Sequence, residues 1–300
     1  EGYEVKYKNG AFTAIKHVDA VVMIGEQGYE SLSAAIEAAQ DGQTITFLAD
    51  ITEDVTVTKA VTIDGAGFTY TGKMTLKADT TIKNVNFDGK GYNGYAIETR
   101  GAQYLTIEDC TAKNYGYGFV QLASGTALTT VKNVTVSNMN YGVKVDYSNA
   151  VVLENVDITA GVAAVLNSNY GEKTITIKNS ELNILGTWTR NDTKKTTFVF
   201  EGENTVGQFK TDAAIDTFKL ADVNSTLTAP EGQTVTTDVA DYKVAYENGT
   251  YKAVAKVYVA EVNGVKYETL QAAINACVVG NNTITLLTDS SENVTIKQTE

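Results

Sequence analysis

Tyrosine is the residue type whose number and spacing in this 300-residue chain most invite a chemical role. Tyr92, Tyr95, Tyr115, Tyr117 and Tyr141 fall among Asn and Gly in turn-like stretches such as Gly91-Tyr92-Asn93-Gly94-Tyr95 and Asn114-Tyr115-Gly116-Tyr117-Gly118. Exposed rings flanked by amides suit the faces and hydroxyls of a sugar, and equally a protein contact. The same rings become plain packing if Tyr95, Tyr117 and Tyr141 stack as a ladder that buttresses the fold. Acids are numerous, with 36 Asp and Glu against 24 Lys and Arg. A glycosidase needs two carboxylates roughly 5–10 Å apart across a cleft, and among so many acids some pair meets that by chance. Asp64 and Asp88 each precede Gly and read as turn residues. His17 is the only histidine, which removes His-based metal clusters and nearly every triad-type mechanism. Cys110 and Cys277 do not suggest a disulfide framework. We expect no metal site and no cofactor.

Composition narrows the partners. A formal charge of −12, with Arg only at positions 100 and 190, argues against nucleic acid, which needs clustered cations to neutralise phosphates. No segment has the continuous apolar length of a membrane span, so we expect no direct membrane insertion. The chain does not begin as a signal peptide does, and any export signal or anchor is expected outside these residues. One Pro, 25 Gly and abundant Thr, Val, Asn and Tyr fit many short strands punctuated by polar turns.

The elements that would position the tyrosines show up as a short period. Ile82-Lys83-Asn84-Val85-Asn86-Phe87 is followed by Ile107-Glu108-Asp109-Cys110-Thr111-Ala112, Val131-Lys132-Asn133-Val134-Thr135-Val136, Leu153-Glu154-Asn155-Val156-Asp157-Ile158 and Ile177-Lys178-Asn179-Ser180-Glu181-Leu182. Aliphatic residues fill the first column, and the third is Asn84, Asp109, Asn133, Asn155 and Asn179. A repeat of about 24 residues can close one turn of three short strands, with each coil about 4.8 Å above the last. Asn suits the bend, because its short side chain tolerates the left-handed conformation and can hydrogen-bond along the stack. The five form a structural ladder, with Asn133 expected on the inner side between Asp109 and Asn155.

A longer period encloses the short one. Tyr3 to Ile15 returns as Tyr242 to Val254, an offset of 239, and Tyr29-Glu30-Ser31-Leu32 returns as Tyr267-Glu268-Thr269-Leu270. The simplest reading is one repeat of a tandem array with parts of its neighbours. Ser31 to Ala39 places Leu32, Ala35, Ile36 and Ala39 on one helical face, which suits a cap over an open first coil. Asn248-Gly249 between two alternating runs reads as a β-hairpin. The expected division is residues 1–17 as the hairpin ending a preceding repeat and 18–228 as a parallel β-helix with its cap helix near 31–40. Residues 229–255 follow as a hairpin connector, and 256–300 as the start of another repeat with a helix near 269–278.

The tract from Tyr29 to Leu48 and the turn Thr62-Ile63-Asp64-Gly65-Ala66-Gly67 resemble the right-handed parallel β-helix superfamily typified by pectate lyases. There a cap helix precedes the first strand and an Asn ladder lines one bend. At finer grain the tract from Tyr29 to Asp50 looks like tandem modules in very large surface proteins of anaerobic Gram-positive bacteria, and similar modules occur in phage fibres. The expected fold class is all-β: a right-handed parallel β-helix with an N-terminal capping α-helix and β-hairpin connectors between tandem units. For a pectate-lyase-like enzyme the resemblance implies clustered acids holding calcium beside an Arg or Lys base, for which Glu98, Arg100, Asp109 and Asp146 are the candidates. Aligning Tyr95 with Tyr117 and Tyr141 stacks Glu98 over Val120 and Lys144, and Arg100 over Leu122 and Asp146. No two carboxylates then share a column, and Arg100 reads as half of a surface ion pair contributing about 0–1 kcal/mol.

Serial copies help a spacer or multivalent binder more than a catalyst. The leading expectation is therefore a non-catalytic extracellular tandem-repeat module, a stalk or adhesive display unit of a large bacterial surface protein. Its expected partners are neighbouring repeats and a surface glycan or another surface protein. A phage fibre or virion decoration is the nearest alternative, and a polysaccharide lyase or glycoside hydrolase the alternative of a different class.

Overall fold

The computed structural model describes residues 3–8, 10–16, 19–168, 171–188, 195–211, 216–278, 280 and 282–296. His17 and the expected boundary between residues 17 and 18 lie outside them. Most of the described chain winds into a β-solenoid with three strand-bearing faces. The first face is a parallel run of Thr44–Phe47, Val61–Asp64, Thr80–Lys83, Tyr104–Glu108, Leu128–Lys132, Ala150–Glu154, Lys173–Lys178, Thr196–Glu201, Asp216–Leu220 and Val235–Thr237. The second holds short strands such as Asn86–Asp88, Thr111–Lys113 and Thr135–Ser137. The third holds Val55–Val57, Met74–Leu76, Tyr95–Thr99, Gly118–Leu122, Tyr141–Val145 and Ala163–Ser168. The longer strands Glu181–Trp188 and Glu203–Lys210 pair with partners on both of these faces.

The short period becomes the interior. Ile45, Ile63, Ile82, Ile107, Val131, Leu153, Ile177, Phe200 and Leu220 lie partner over partner on the first face, and each is at most 1% exposed. Phe87, Ala112, Val136, Ile158 and Leu182 form the matching column on the second face. Alternation along each strand drives this, since burying one face of a pleated strand removes every second side chain from water. Aromatic rings link the faces across the interior: Phe47 to Tyr70 at 6.4 Å, Tyr70 to Phe87 at 5.7 Å and Phe87 to Phe119 at 5.3 Å.

The repeated Asn positions turn the chain from the first face to the second. Asn84, Asp109, Asn133, Asn155 and Asn179 all take left-handed φ, between 47° and 54°. Asn155 donates to Asn133 Oδ1 at 3.1 Å, and Asn133 donates to Asp109 Oδ1 at 2.8 Å. Asp109 has no N–H to pass the chain downward, and Asn84 instead donates to Asp64 Oδ1 at 3.0 Å. The inner placement is corrected: Asn133 and Asn155 are exposed. The inner column is the next residue along, Val85, Cys110, Val134 and Val156, each at most 2% exposed. A residue held at left-handed φ turns its side chain out at the bend, and its successor points in. Burial pushes the Cys110 thiol up to about 12, beyond the help of its backbone hydrogen bonds.

A second ladder lies at the bend between the second and third faces. Asn138 donates to Asn114 Oδ1, and Asn114 donates to Asp88 Oδ1 at 2.9 Å. Asn114 and Asn138 also take left-handed φ, at 63° and 52°.

Helix α1 (Leu32–Ala38) starts at Ser31, whose hydroxyl accepts from the Ala34 N–H at 3.0 Å. It buries Leu32, Ala35 and Ile36 beside Val22–Ile24, Gln27–Tyr29, Thr44–Phe47 and Val55–Val57. The free edge of Thr44–Phe47 is paired antiparallel by Val22–Ile24, which in turn pairs with Gln27–Tyr29. At the other end Thr226–Thr228 is paired antiparallel by Thr250–Ala255. Antiparallel addition satisfies backbone groups that a bare parallel edge would leave open.

The long period is visible as matching local structure. Tyr3–Lys8 pairs with Ala11–Lys16 in the register Tyr3 to Lys16, and Tyr242–Glu247 pairs with Thr250–Ala255 in the register Tyr242 to Ala255. Ala260–Val262 with Val265–Tyr267 repeats the pairing of Val22–Ile24 with Gln27–Tyr29. Helix α2 (Leu270–Asn275) begins at Thr269, whose hydroxyl accepts from the Ala272 N–H at 3.1 Å, as Ser31 does for α1.

Candidate functional site

The third face gathers most of the chemistry. Its register differs by one residue from the alignment of Tyr95 with Tyr117: Tyr95 lies over Gly118, and Gly118 over Tyr141. The reason is space. A Cβ at position 118 would sit 2.8 Å from Tyr95 Cε1 and 2.4 Å from the Tyr141 carbonyl oxygen. With glycine there, Tyr95 and Tyr141 stack across the gap, centroids 6.4 Å apart and 23° from parallel, while Tyr117 tilts against Tyr95 at 6.0 Å.

The shift moves the charged column as well. Glu98 lies over Gln121 and Gln121 over Lys144, correcting the expected Val120 and placing Val120 in the interior between Ile97 and Val143. The Glu98 carboxylate pairs with Lys73 Nζ at 2.7 Å and with Arg100. Asp146 lies two coils further along the stack, at the offset of 46 residues that also carries Tyr95 to Tyr141 and Glu98 to Lys144, so the expected column of Arg100 and Asp146 is kept while Leu122 leaves it for the interior. The Asp146 carboxylate accepts from Gln121 Nε2 at 2.9 Å and Ser168 Oγ at 2.6 Å, with Lys144 Nζ 3.3 Å away. Beneath it the Lys173 ammonium donates to the carbonyl oxygens of Asp146 at 3.0 Å and Ser168 at 2.8 Å. Asp109 stands apart, on the exposed Asn bend with Asn133. The structure therefore brings Glu98 and Arg100 together and separates both from Asp146 and Asp109. Among the described residues, no three His, Cys, Asp or Glu side chains converge as a metal site would require.

The tyrosines divide by exposure. Tyr117 is 50% exposed, and Tyr95 and Tyr141 are half-buried. Burial, reinforced by Tyr141, Asp146, Tyr117 and Glu98, pushes the Tyr95 hydroxyl above its ordinary value. Tyr92 is half-buried and donates to Asp54 Oδ2 at 3.0 Å; burial and that bond push its hydroxyl up. Tyr115 belongs to the core: it is 1% exposed and donates to the Gly72 carbonyl at 3.0 Å, which takes its ring away from any surface ligand.

Two grooves border these rings. The larger, about 760 Å³, runs along the second Asn bend, where the Asn138, Asn114 and Asn140 amides are engaged with Asn114, Asp88 and the Gly116 carbonyl. The smaller, about 280 Å³, lies on the third face between Tyr141 and Trp188, over Ala163, Leu166 and Gly186, with Lys210 at its rim. Trp188, 47% exposed, presents its ring to Lys144 Nζ at 5.6 Å. Sequence reasoning missed this tryptophan. Its signal was its being the only tryptophan of the sequence, in Gly186-Thr187-Trp188-Thr189.

The ladder bases make a pH-sensitive feature. The Asn114 amide, aided by the Lys90 N–H and Lys113 and opposed by burial, holds the Asp88 carboxyl below its ordinary 3.8. Burial works to raise Asp64, but the Asn84 amide, the Ala66 N–H and Lys83 outweigh it and leave that carboxyl low too. A depressed folded-state value contributes stability above the unfolded value, and that stability is lost as pH falls through the folded one. We expect the Asp64→Asn, Asp88→Asn double variant to lose less melting temperature than the parent between about pH 4 and pH 2. Thermal unfolding across that range is the measurement, and parallel acid limbs for the two proteins would refute the assignment.

Among the described residues, no helix is long and apolar enough to cross a membrane. Comparison with curated proteins and with solved structures gave no match. Residues 64–207 match the family model described as the right handed beta helix region, and together with the parallel three-faced stack around them they form a right-handed parallel β-helix module.

Proposed function

We propose that this chain is a non-catalytic extracellular tandem-repeat module, a stalk or adhesive display unit of a large bacterial surface protein. The observation that carries the reading is the recurrence of the hairpin, the antiparallel strand pair and the hydroxyl-capped helix at an offset of 238–239 residues. A unit whose end repeats its beginning can continue in line, as solenoid arrays do. The groove between Tyr141 and Trp188 supplies the adhesive part. Its aromatic walls and apolar floor suit the apolar face of a sugar ring, and Lys210 and Thr187 can meet hydroxyls.

One observation favours a polysaccharide-active enzyme instead: Glu98, Arg100 and Lys73 adjoin on an outer face. Both cations are engaged with Glu98, which supports an ion-pair role. Incubating the full chain with plant and bacterial polysaccharides, with and without calcium, is expected to leave the polymers uncleaved. Retention on a glycan resin is expected to fall at least tenfold in Trp188→Ala. Product release that disappears in Glu98→Ala or Asp146→Ala would overturn the non-catalytic reading.

A further inference from the structure

The two hairpins agree in sequence, register and ring geometry but not in burial. Tyr246 and Tyr251 are cross-strand partners with ring centroids 4.6 Å apart and planes at 48°. Tyr7 and Phe12, their counterparts 239 residues earlier, are cross-strand partners at 4.8 Å and 47°. The later pair is docked on the solenoid. Its strand Thr250–Ala255 extends the edge strand Thr226–Thr228, setting Tyr251 opposite Leu227. Tyr251 is 4% exposed, and its hydroxyl accepts from the Gln233 N–H at 3.0 Å and donates to the Pro230 carbonyl at 3.3 Å. The Tyr246 hydroxyl donates to the Ala229 carbonyl at 3.1 Å. In the earlier pair Tyr7 is 65% and Phe12 77% exposed.

We infer that the N-terminal hairpin is a docking element whose Tyr7–Phe12 face adds, strand to edge, onto the last coil of another module of this kind. The partner surface is the equivalent of Thr226–Thr228 with the Ala229 and Pro230 carbonyls. Two rings already paired across the hairpin make a suitable anchor, because large apolar area is covered with few rotamers to freeze. Backbone pairing with the edge strand fixes the register, as in other cases of strand addition. Tyr7 keeps the hydroxyl that would reach the Ala229 carbonyl. Phe12 keeps the ring and gives up the two hydrogen bonds made by the Tyr251 hydroxyl. The last coil of this chain is already occupied by its own hairpin, so the docking belongs to a junction between successive modules. The inference rests on the tandem-module reading and specifies its joint.

A two-module chain tests it: residues 1–241 followed directly by Tyr3 to Glu300, which preserves the spacing between a last coil and the hairpin after it. Thr228 and Thr250 are cross-strand partners with Oγ1 atoms 3.2 Å apart, so Thr228→Cys with Thr250→Cys in the single chain is the positive control for disulfide formation. In the two-module chain, Thr228→Cys of the first module and Ala11→Cys of the second are expected to cross-link as fully as that control. Phe12→Ser in the second module should lower the yield about tenfold. Without any cysteine substitution, amide exchange over Ala11–Lys16 is expected to slow at least tenfold relative to the single chain. A formed control link, with no link and unchanged exchange in the two-module chain, would overturn the inference. The glycan experiment is untouched by that result, so failure of the joint and failure of the non-catalytic reading are told apart.

Discussion

Phe87→Ala is expected to lower the unfolding free energy by about 3–5 kcal/mol, among the largest losses available to a single substitution in this chain. Phe87 is 1% exposed and sits in the middle of the interior aromatic series. Its ring meets Tyr70 edge-on at 5.7 Å and Phe119 edge-on at 5.3 Å. Truncation therefore removes two aromatic pairs, each worth about 0.5–1.5 kcal/mol beyond area burial, and leaves a cavity that paired backbones on either side cannot close. Phe87→Leu, which keeps most of the volume, should cost about 1–1.5 kcal/mol. Urea unfolding followed by far-UV circular dichroism measures both. A loss under about 1 kcal/mol for Phe87→Ala would mean that the rings do not pack as a series.

How far such interior positions can be read from sequence depends on whether their constraint repeats. The column Ile82, Ile107, Val131, Leu153 and Ile177 is legible because every coil imposes the same demand at the same step. The left-handed bend leaves its own mark, since Asn or Asp occupies all five positions from Asn84 to Asn179. The side of the wall on which those residues sit is less legible. One residue separates exposed Asn133 from buried Val134, and a spacing argument is blind to that step. The third face was read one residue out for a related reason. Matching like with like aligned Tyr117 with Tyr95, whereas the backbone aligns Gly118 there because the Tyr95 ring needs the room.

Features made by only two coils leave no period at all. Trp188 meets Lys144 from a strand that serves two faces, and no repeat of the short motif announces the meeting. The edges are similar: antiparallel closure by Val22–Ile24 and by Thr250–Ala255 occurs once at each end. Those closures became visible through the long period, in which the hairpin recurs.

Tyr115→Ala and Tyr117→Ala, two residues apart and alike in sequence context, should differ by several kcal/mol. The Tyr115 ring is 1% exposed and packs edge-on against Tyr92 at 6.0 Å, with Gly89 above it, where a Cβ would come 2.8 Å from Tyr115 Cγ. Its loss should cost about 3–5 kcal/mol. Tyr115→Phe keeps the ring and strips the hydroxyl from the buried Gly72 carbonyl, a cost of about 1–3 kcal/mol. Tyr117 is 50% exposed and tilts against Tyr95, so Tyr117→Ala should stay within about 1 kcal/mol of the parent. Equal and large losses at both positions would mean that the third-face tyrosines are core, and the adhesive surface proposed around Tyr141 and Trp188 would lose its aromatic continuation. Unequal losses, with Tyr117→Ala weakening glycan retention at unchanged stability, would extend that surface along the stack from Trp188 through Tyr141 to Tyr117. It would then have the elongated shape that a polymer chain, unlike a single sugar, can follow.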